Sequence, residues 1–149
     1  MLYYLTGQLI SPTDSNINEK VRYTANTGTA ALSTANPNLD GTGTIVTILS
    51  GSGNGTFIKT ITIKAAGSTT RGMIRFFIGD GSTFTRIIDE VDVPARVQSG
   101  TQNAWSITYD TNWYLKSGWL ISASTEKAEN FIVTAEGLDM SYPSSLNGI

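Results

Sequence analysis

The chain has 149 residues and a mass of 16.0 kDa, with ten Lys plus Arg against twelve Asp plus Glu and a formal charge of -2. That length suits one domain able to bury about 68–70% of the surface its unfolded chain would expose. Cysteine and histidine are both absent, which excludes disulfides, a thiol nucleophile, Ser-His-Asp or Cys-His pairs and a zinc site of the usual kind.

Thr occurs 21 times, Ser 15 and Gly 15, and apolar residues recur at period two rather than at helical spacing. Threonine, isoleucine and valine are stiff at χ1 and suit a pleated, half-buried surface. Residues 1–20 read as an N-terminal arm. Leu2, Tyr3, Tyr4 and Leu5 can add a short strand, before Ser11-Pro12-Thr13-Asp14 breaks into loop chemistry. This start lacks basic residues and falls short of the roughly 20 apolar residues of a membrane span, so no membrane contact is expected. From Lys20 to Ala25 there is brief alternation, then a polar stretch to Asn38. It reads either as an ordered edge strand with a long surface loop or as an arm that packs on a neighbouring subunit.

Residues 44–50 (TIVTILS) form a strand, the glycines of GSGNG turn the chain, and FIKTITIKA at 57–65 returns as the second half of an expected hairpin. MIRFFIGD at 73–80 places Ile74, Phe76 and Ile78 on one face. Asp80-Gly81 is the strongest hairpin signal in the chain. In the following FTRIIDEVDV, Ile87, Val91 and Val93 are expected to face inward, with Asp89 the odd member of that set. A bulge near Ile87-Ile88 would resolve the conflict. Trp105, Ile107 and Tyr109 alternate with polar residues, and Thr111-Asn112 reads as a tight connection into WYL at 113–115. Lys116-Ser117-Gly118 turns again. Trp119, Ile121 and Ala123 share a face, as do Phe131, Val133 and Ala135 in FIVTAEG. The sum is an all-β antiparallel sandwich of about eight strands over residues 21–140, jelly-roll or Greek-key like, with a tail at 141–149. The strand order is not written in the sequence.

Tests for chemistry find little. GSGNGTFIKT places Lys59 too late for a phosphate-binding loop and leads into a strand rather than a helix. Asp80-Gly81-Ser82 lacks the repeated oxygen ligands of a calcium loop, so no metal or cofactor is expected. Asp89, Glu90 and Asp92 are the best acid/base set, but neighbouring strand carboxylates are more often solvated or paired with Arg86. Arg71, Arg75 and Arg86 are interspersed with Asp80, Asp89 and Glu90, and without a basic excess nucleic acid is not an expected partner. Trp105 and Trp119 read as core. Trp113 and Tyr114 flank the expected turn and are the candidates for exposed contact residues.

The runs FIKTITIKAAGSTTRGMIRFFIGDG, RIIDEVDVPA, LKSGWLISASTE and FIVTAEGLD resemble small β-sandwich virion structural proteins of tailed bacteriophages. The resemblance spans residues 24–139 and is one of overall pattern, so it transfers no active residue. It implies location in a virion and a non-enzymatic, homo-oligomeric auxiliary or decoration protein that cements neighbouring capsid subunits. Other proteins of this type belong to head fibres or tails. The alternative is therefore a receptor- or glycan-binding module using loop aromatics such as Trp113 and Tyr114, with an enzyme acting through Asp89, Glu90 or Asp92 as a third reading. The contact candidates are Leu2, Tyr3, Tyr4, Leu5, Trp113 and Tyr114.

Overall fold

The computed structural model describes the backbone course of residues 3–5 and 8–10, and residues 21–142 in full. Among the described residues ten strands are formed: β1 (Tyr3–Leu5), β2 (Gln8–Ile10), β3 (Arg22–Leu32), β4 (Val46–Ser50), β5 (Thr56–Ala65), β6 (Gly72–Gly79), β7 (Thr85–Val93), β8 (Ser106–Leu115), β9 (Leu120–Thr125) and β10 (Phe131–Ser141). β1 and β2 pair with each other. The other eight form two four-stranded sheets, β3-β10-β5-β8 (sheet 1) and β4-β9-β6-β7 (sheet 2). Every pairing is antiparallel. The pairing is nested: β3 with β10, β4 with β9, β5 with β8, β6 with β7. This is the antiparallel sandwich expected from the spacing of apolar runs.

The core lies between the sheets. Ile58, Ile61, Ile63, Phe131 and Val133 of sheet 1 meet Ile74, Phe76, Ile121 and Ala123 of sheet 2, all essentially solvent-free. At about 1.5–3 kcal/mol for each fully buried Val, Leu, Ile or Phe side chain, this set supplies the main force that stacks the layers. Trp105 and Trp119 pack against its margin, as their apolar faces indicated.

Four local readings need correction or completion. β4 and β5 do not form a hairpin: they lie in different sheets. The loop between them bonds to other elements instead. Gly51 N–H donates to Trp119 O at 2.8 Å and Asn54 N–H to Met140 O at 2.7 Å, while Met140 N–H donates to Gly55 O at 2.8 Å. The polar stretch after Ala25 divides: its first part is strand, because β3 runs to Leu32 as an edge strand of sheet 1, and only the part from Ser33 onward is loop. Thr111-Asn112 is no connection between strands but a bulge within β8. There the register against β5 jumps from Trp113↔Ile58 to Asp110↔Thr60, with Asn112 at φ 53°. The β6–β7 hairpin forms as expected, with its bulge at Ile88: Phe76 pairs with Asp89 and Phe77 with Ile87. The bulge puts Ile87 on the outer face beside Phe77 and leaves Asp89 facing inward.

The loop from 33 to 45 crosses the outer face of sheet 2 as a flap. Asn36, buried within it, donates its N–H to Thr125 O at 2.8 Å and its Nδ2 to Thr42 O and Thr44 O at 3.0 and 2.9 Å. Further along, Gly41 lies against the Thr85 side chain at the far end of the sheet. Beneath the flap sits a cleft of about 220 Å³, into which Phe77, Ile45 and Leu120 project beside the hydroxyls of Thr47 and Ser122. Phe77, on the outer face of a two-layer sandwich, is thereby fully buried.

Candidate interaction surface

The sandwich has one closed side and one open side. On the closed side β3 and β4 come so near that a Cβ on Gly28 would stand 1.9 Å from Ile48 O. Asn26 Nδ2 donates to Ser50 O across the same gap at 3.1 Å. On the open side, β7 and β8 are joined through side chains: Tyr109 Oη donates to Asp89 Oδ2 at 3.1 Å. Burial, then the charge of Asp89, then this hydrogen bond push the Tyr109 phenol well above its ordinary range.

This geometry disperses the carboxylates that the sequence places together. Asp89 faces inward to Tyr109, whereas Glu90 faces outward and takes the buried Arg75 Nε at 3.0 Å. Asp92 stands at the rim of a groove. Two of the three are committed to structural bonds, and the three do not converge on a common point. Among the described residues no group of three or more His, Cys, Asp or Glu is placed to hold a metal ion.

The groove opens between the end of β7 and the start of β8, with a volume of about 510 Å³. Val93, Pro94, Trp105 and Ile107 form its apolar part, with Arg71 and Asp92 beside them. Val97, 68% exposed, lies in the loop that leaves it. That loop is held firmly: Thr69 and Arg96 exchange backbone hydrogen bonds at 2.8 and 3.0 Å, and Thr69 Oγ1 donates to Pro94 O at 2.7 Å. The Arg96 guanidinium binds Asn103 through Nε to its carbonyl at 2.8 Å and through Nη2 to Oδ1 at 2.6 Å.

The outer face of sheet 1 is a second surface of distinct chemistry. Thr29, Thr134, Thr62 and Thr108 align in one row across all four strands, and Thr27, Glu136, Thr60 and Asp110 in the next. Hydroxyl contacts at 3.3 Å (Thr29–Thr134) and 2.9 Å (Thr62–Thr108) tie the first row together. The β-branched side chains lose little freedom on being covered, so the face suits broad contact with another protein.

The contact candidates from the sequence fall differently. Trp113 turns inward, partly buried against the core with its ring 5.7 Å from that of Phe76, so the expectation of exposure fails for it. The cause is the β8 bulge, which sets the faces of the residues after it. Tyr114 is 52% exposed, and its hydroxyl donates to Asn54 O at 3.1 Å. Leu2 and the side chains of Tyr3, Tyr4 and Leu5 lie outside the described residues, although the backbone of Tyr3–Leu5 forms β1. Near Tyr114, Asp139 accepts from Ser52 Oγ at 2.6 Å, from Asn26 Nδ2 at 2.8 Å and from the buried Thr56 Oγ1. Its partial burial works to raise its pKa, but the donors Ser52, Thr56 and Asn26 outweigh it and hold the carboxyl below its ordinary value. The groove escaped the sequence reading because its walls come from separate stretches that no local pattern joins. Its one sequence signal is the Pro94-Ala95 break followed by the apolar pair Trp105 and Ile107.

No family model matches the chain. No curated protein matches it. Among solved structures, the chain is similar to a pentameric capsid protein isolated from metagenomic phage sequences, with a TM-score of 0.37 and 17% identity. The match covers 78% of this chain and 60% of that protein, so the chain spans about three-fifths of its neighbour's length. The likeness is distant.

Proposed function

We propose that this protein is a non-enzymatic structural component of a bacteriophage virion, an auxiliary or decoration subunit that binds and cements neighbouring capsid subunits. The observation that carries the reading is the outer face of sheet 1, where two adjacent cross-strand rows present six threonines beside one Glu and one Asp. A surface of short, stiff, mostly uncharged side chains is suited to repeated broad contacts, because covering it costs less side-chain entropy than covering lysines or glutamates. The open β7–β8 edge adds apolar area that an assembly would shield. The resemblance of the strand runs to small phage virion proteins points the same way. In this reading residues 1–20 form an arm that docks on a neighbour by adding backbone pairing to its sheet. Deleting residues 1–20 should then abolish incorporation into particles while the sandwich still folds. Unchanged occupancy in purified particles would remove the arm from the account.

A second reading, a receptor- or glycan-binding module of a head fibre or tail, is favoured by the exposed ring of Tyr114 at one end of the sandwich. Under it, Tyr114→Ala lowers binding to cells or glycan arrays without unfolding the domain. Under the first reading it leaves that binding unchanged.

A further inference from the structure

The groove between β7 and β8 combines an apolar floor with two charges of opposite sign. Among the described residues, neither Arg71 nor Asp92 forms an ion pair within the chain, the pairs being Arg75–Glu90, Arg75–Glu126 and Lys127–Glu126. Their neighbours in the groove, Val93, Pro94, Trp105 and Ile107, are apolar. A groove of one net sign would call for a partner of the other sign. One that carries a cation and an anion beside a shared apolar floor is complementary to itself when turned about a two-fold axis, the commonest symmetry of homo-oligomers. The same apposition covers Val97 and the apolar margin of an edge that is otherwise open to adventitious pairing.

We infer that this groove is the docking site for a second copy of the chain, related by a two-fold axis that sets Arg71 of each copy against Asp92 of the other. The inference goes beyond the virion role, since it holds or fails in the isolated protein whatever particle component the chain forms. Each dimer contains the ion pair twice, flanking the buried Trp105 and Ile107 surfaces. Charge pairing of this kind fixes register and suppresses wrong partners, while the apolar floor supplies most of the area.

The test is sedimentation velocity on the purified full chain over a range of concentrations, with circular dichroism to show that each variant is folded. The wild type is expected to dimerise reversibly. Arg71→Asp and Asp92→Arg, each placing like charges face to face twice, should raise the dimer dissociation constant about tenfold or more. The double variant Arg71→Asp/Asp92→Arg should restore it to within a few-fold of wild type. Val97→Asp, at a largely exposed position, should weaken the dimer without unfolding the chain. A wild type that stays monomeric at the highest concentrations overturns the inference. So does a dimer that ignores the single reversals, or one that the double reversal fails to restore. None of these outcomes bears on particle incorporation, which the arm deletion reads separately.

Discussion

Substituting Gly28 by alanine tests the closed side of the sandwich with a single methyl group. The new Cβ would stand 1.9 Å from the backbone oxygen of Ile48, 2.9 Å from its carbonyl carbon and 3.1 Å from Leu49 Cδ1. The nearest obstacle is backbone, so no rotamer change relieves it and β3 must move away from β4. Overpacking costs roughly 1–3 kcal/mol, and a clash with a carbonyl belongs at the upper end. Replacing glycine returns about 0.4–1 kcal/mol by restricting the unfolded chain. The balance is a net destabilisation of about 2 kcal/mol, or a lowering of Tm by about 4–8 °C for a chain of this length. Gly100 is the control: its φ is not positive and a Cβ there meets nothing within 4 Å. Gly100→Ala should therefore be neutral or stabilise slightly. Urea unfolding followed by circular dichroism measures both. If Gly28→Ala lies within about 0.5 kcal/mol of wild type, the close apposition of β3 and β4 is wrong.

Phe76→Ala, removing a fully buried ring that touches Trp113, should cost about 3–5 kcal/mol in the same assay. Tyr109→Phe removes the hydrogen bond to Asp89 across the open side and should cost about 1 kcal/mol. An ultraviolet pH titration should show one fewer tyrosine that resists ionisation in the folded protein. The Asp139 carboxyl is held below its ordinary value of 3.8, so its contribution to stability is full above that value and disappears as pH falls through the lower folded value. Wild-type Tm should accordingly decline more steeply than that of Asp139→Asn as the pH is lowered through and below 3.8. Parallel curves would show that the Ser52, Thr56 and Asn26 bonds contribute nothing.

What could be read in the sequence was whatever adjacent residues decide. The β6–β7 hairpin is announced by Asp80-Gly81, and the Asp80 carboxylate closes the loop by accepting from Ser82 N–H and Thr83 N–H at 2.9 and 2.7 Å. The conflict of Asp89 with the inward pattern marked a bulge, now placed at Ile88. Partner choice was not legible. β4 precedes β5 with a glycine-rich loop between them, as in any hairpin, yet each finds its neighbours in a different sheet. Asn112 misled for a related reason: a residue that tolerates positive φ serves a turn and a bulge equally well. β3 was read too short because an edge strand with one dry face at its far end needs few apolar residues. Only Ala30 and Leu32, at its C-terminal end, are buried. Tyr114 is exposed as its place beside the expected turn suggested and Trp113 is not, while the groove depends on the folded meeting of residues 71, 92–95 and 105–107.

The most direct measurement of the assembly role is a density map of intact phage particles reconstructed with and without this protein. The account predicts a two-layered density of this size at repeated sites on the shell, bridging neighbouring subunits and vanishing when the protein is deleted. Indistinguishable maps, together with absence of the chain from purified particles, would contradict it.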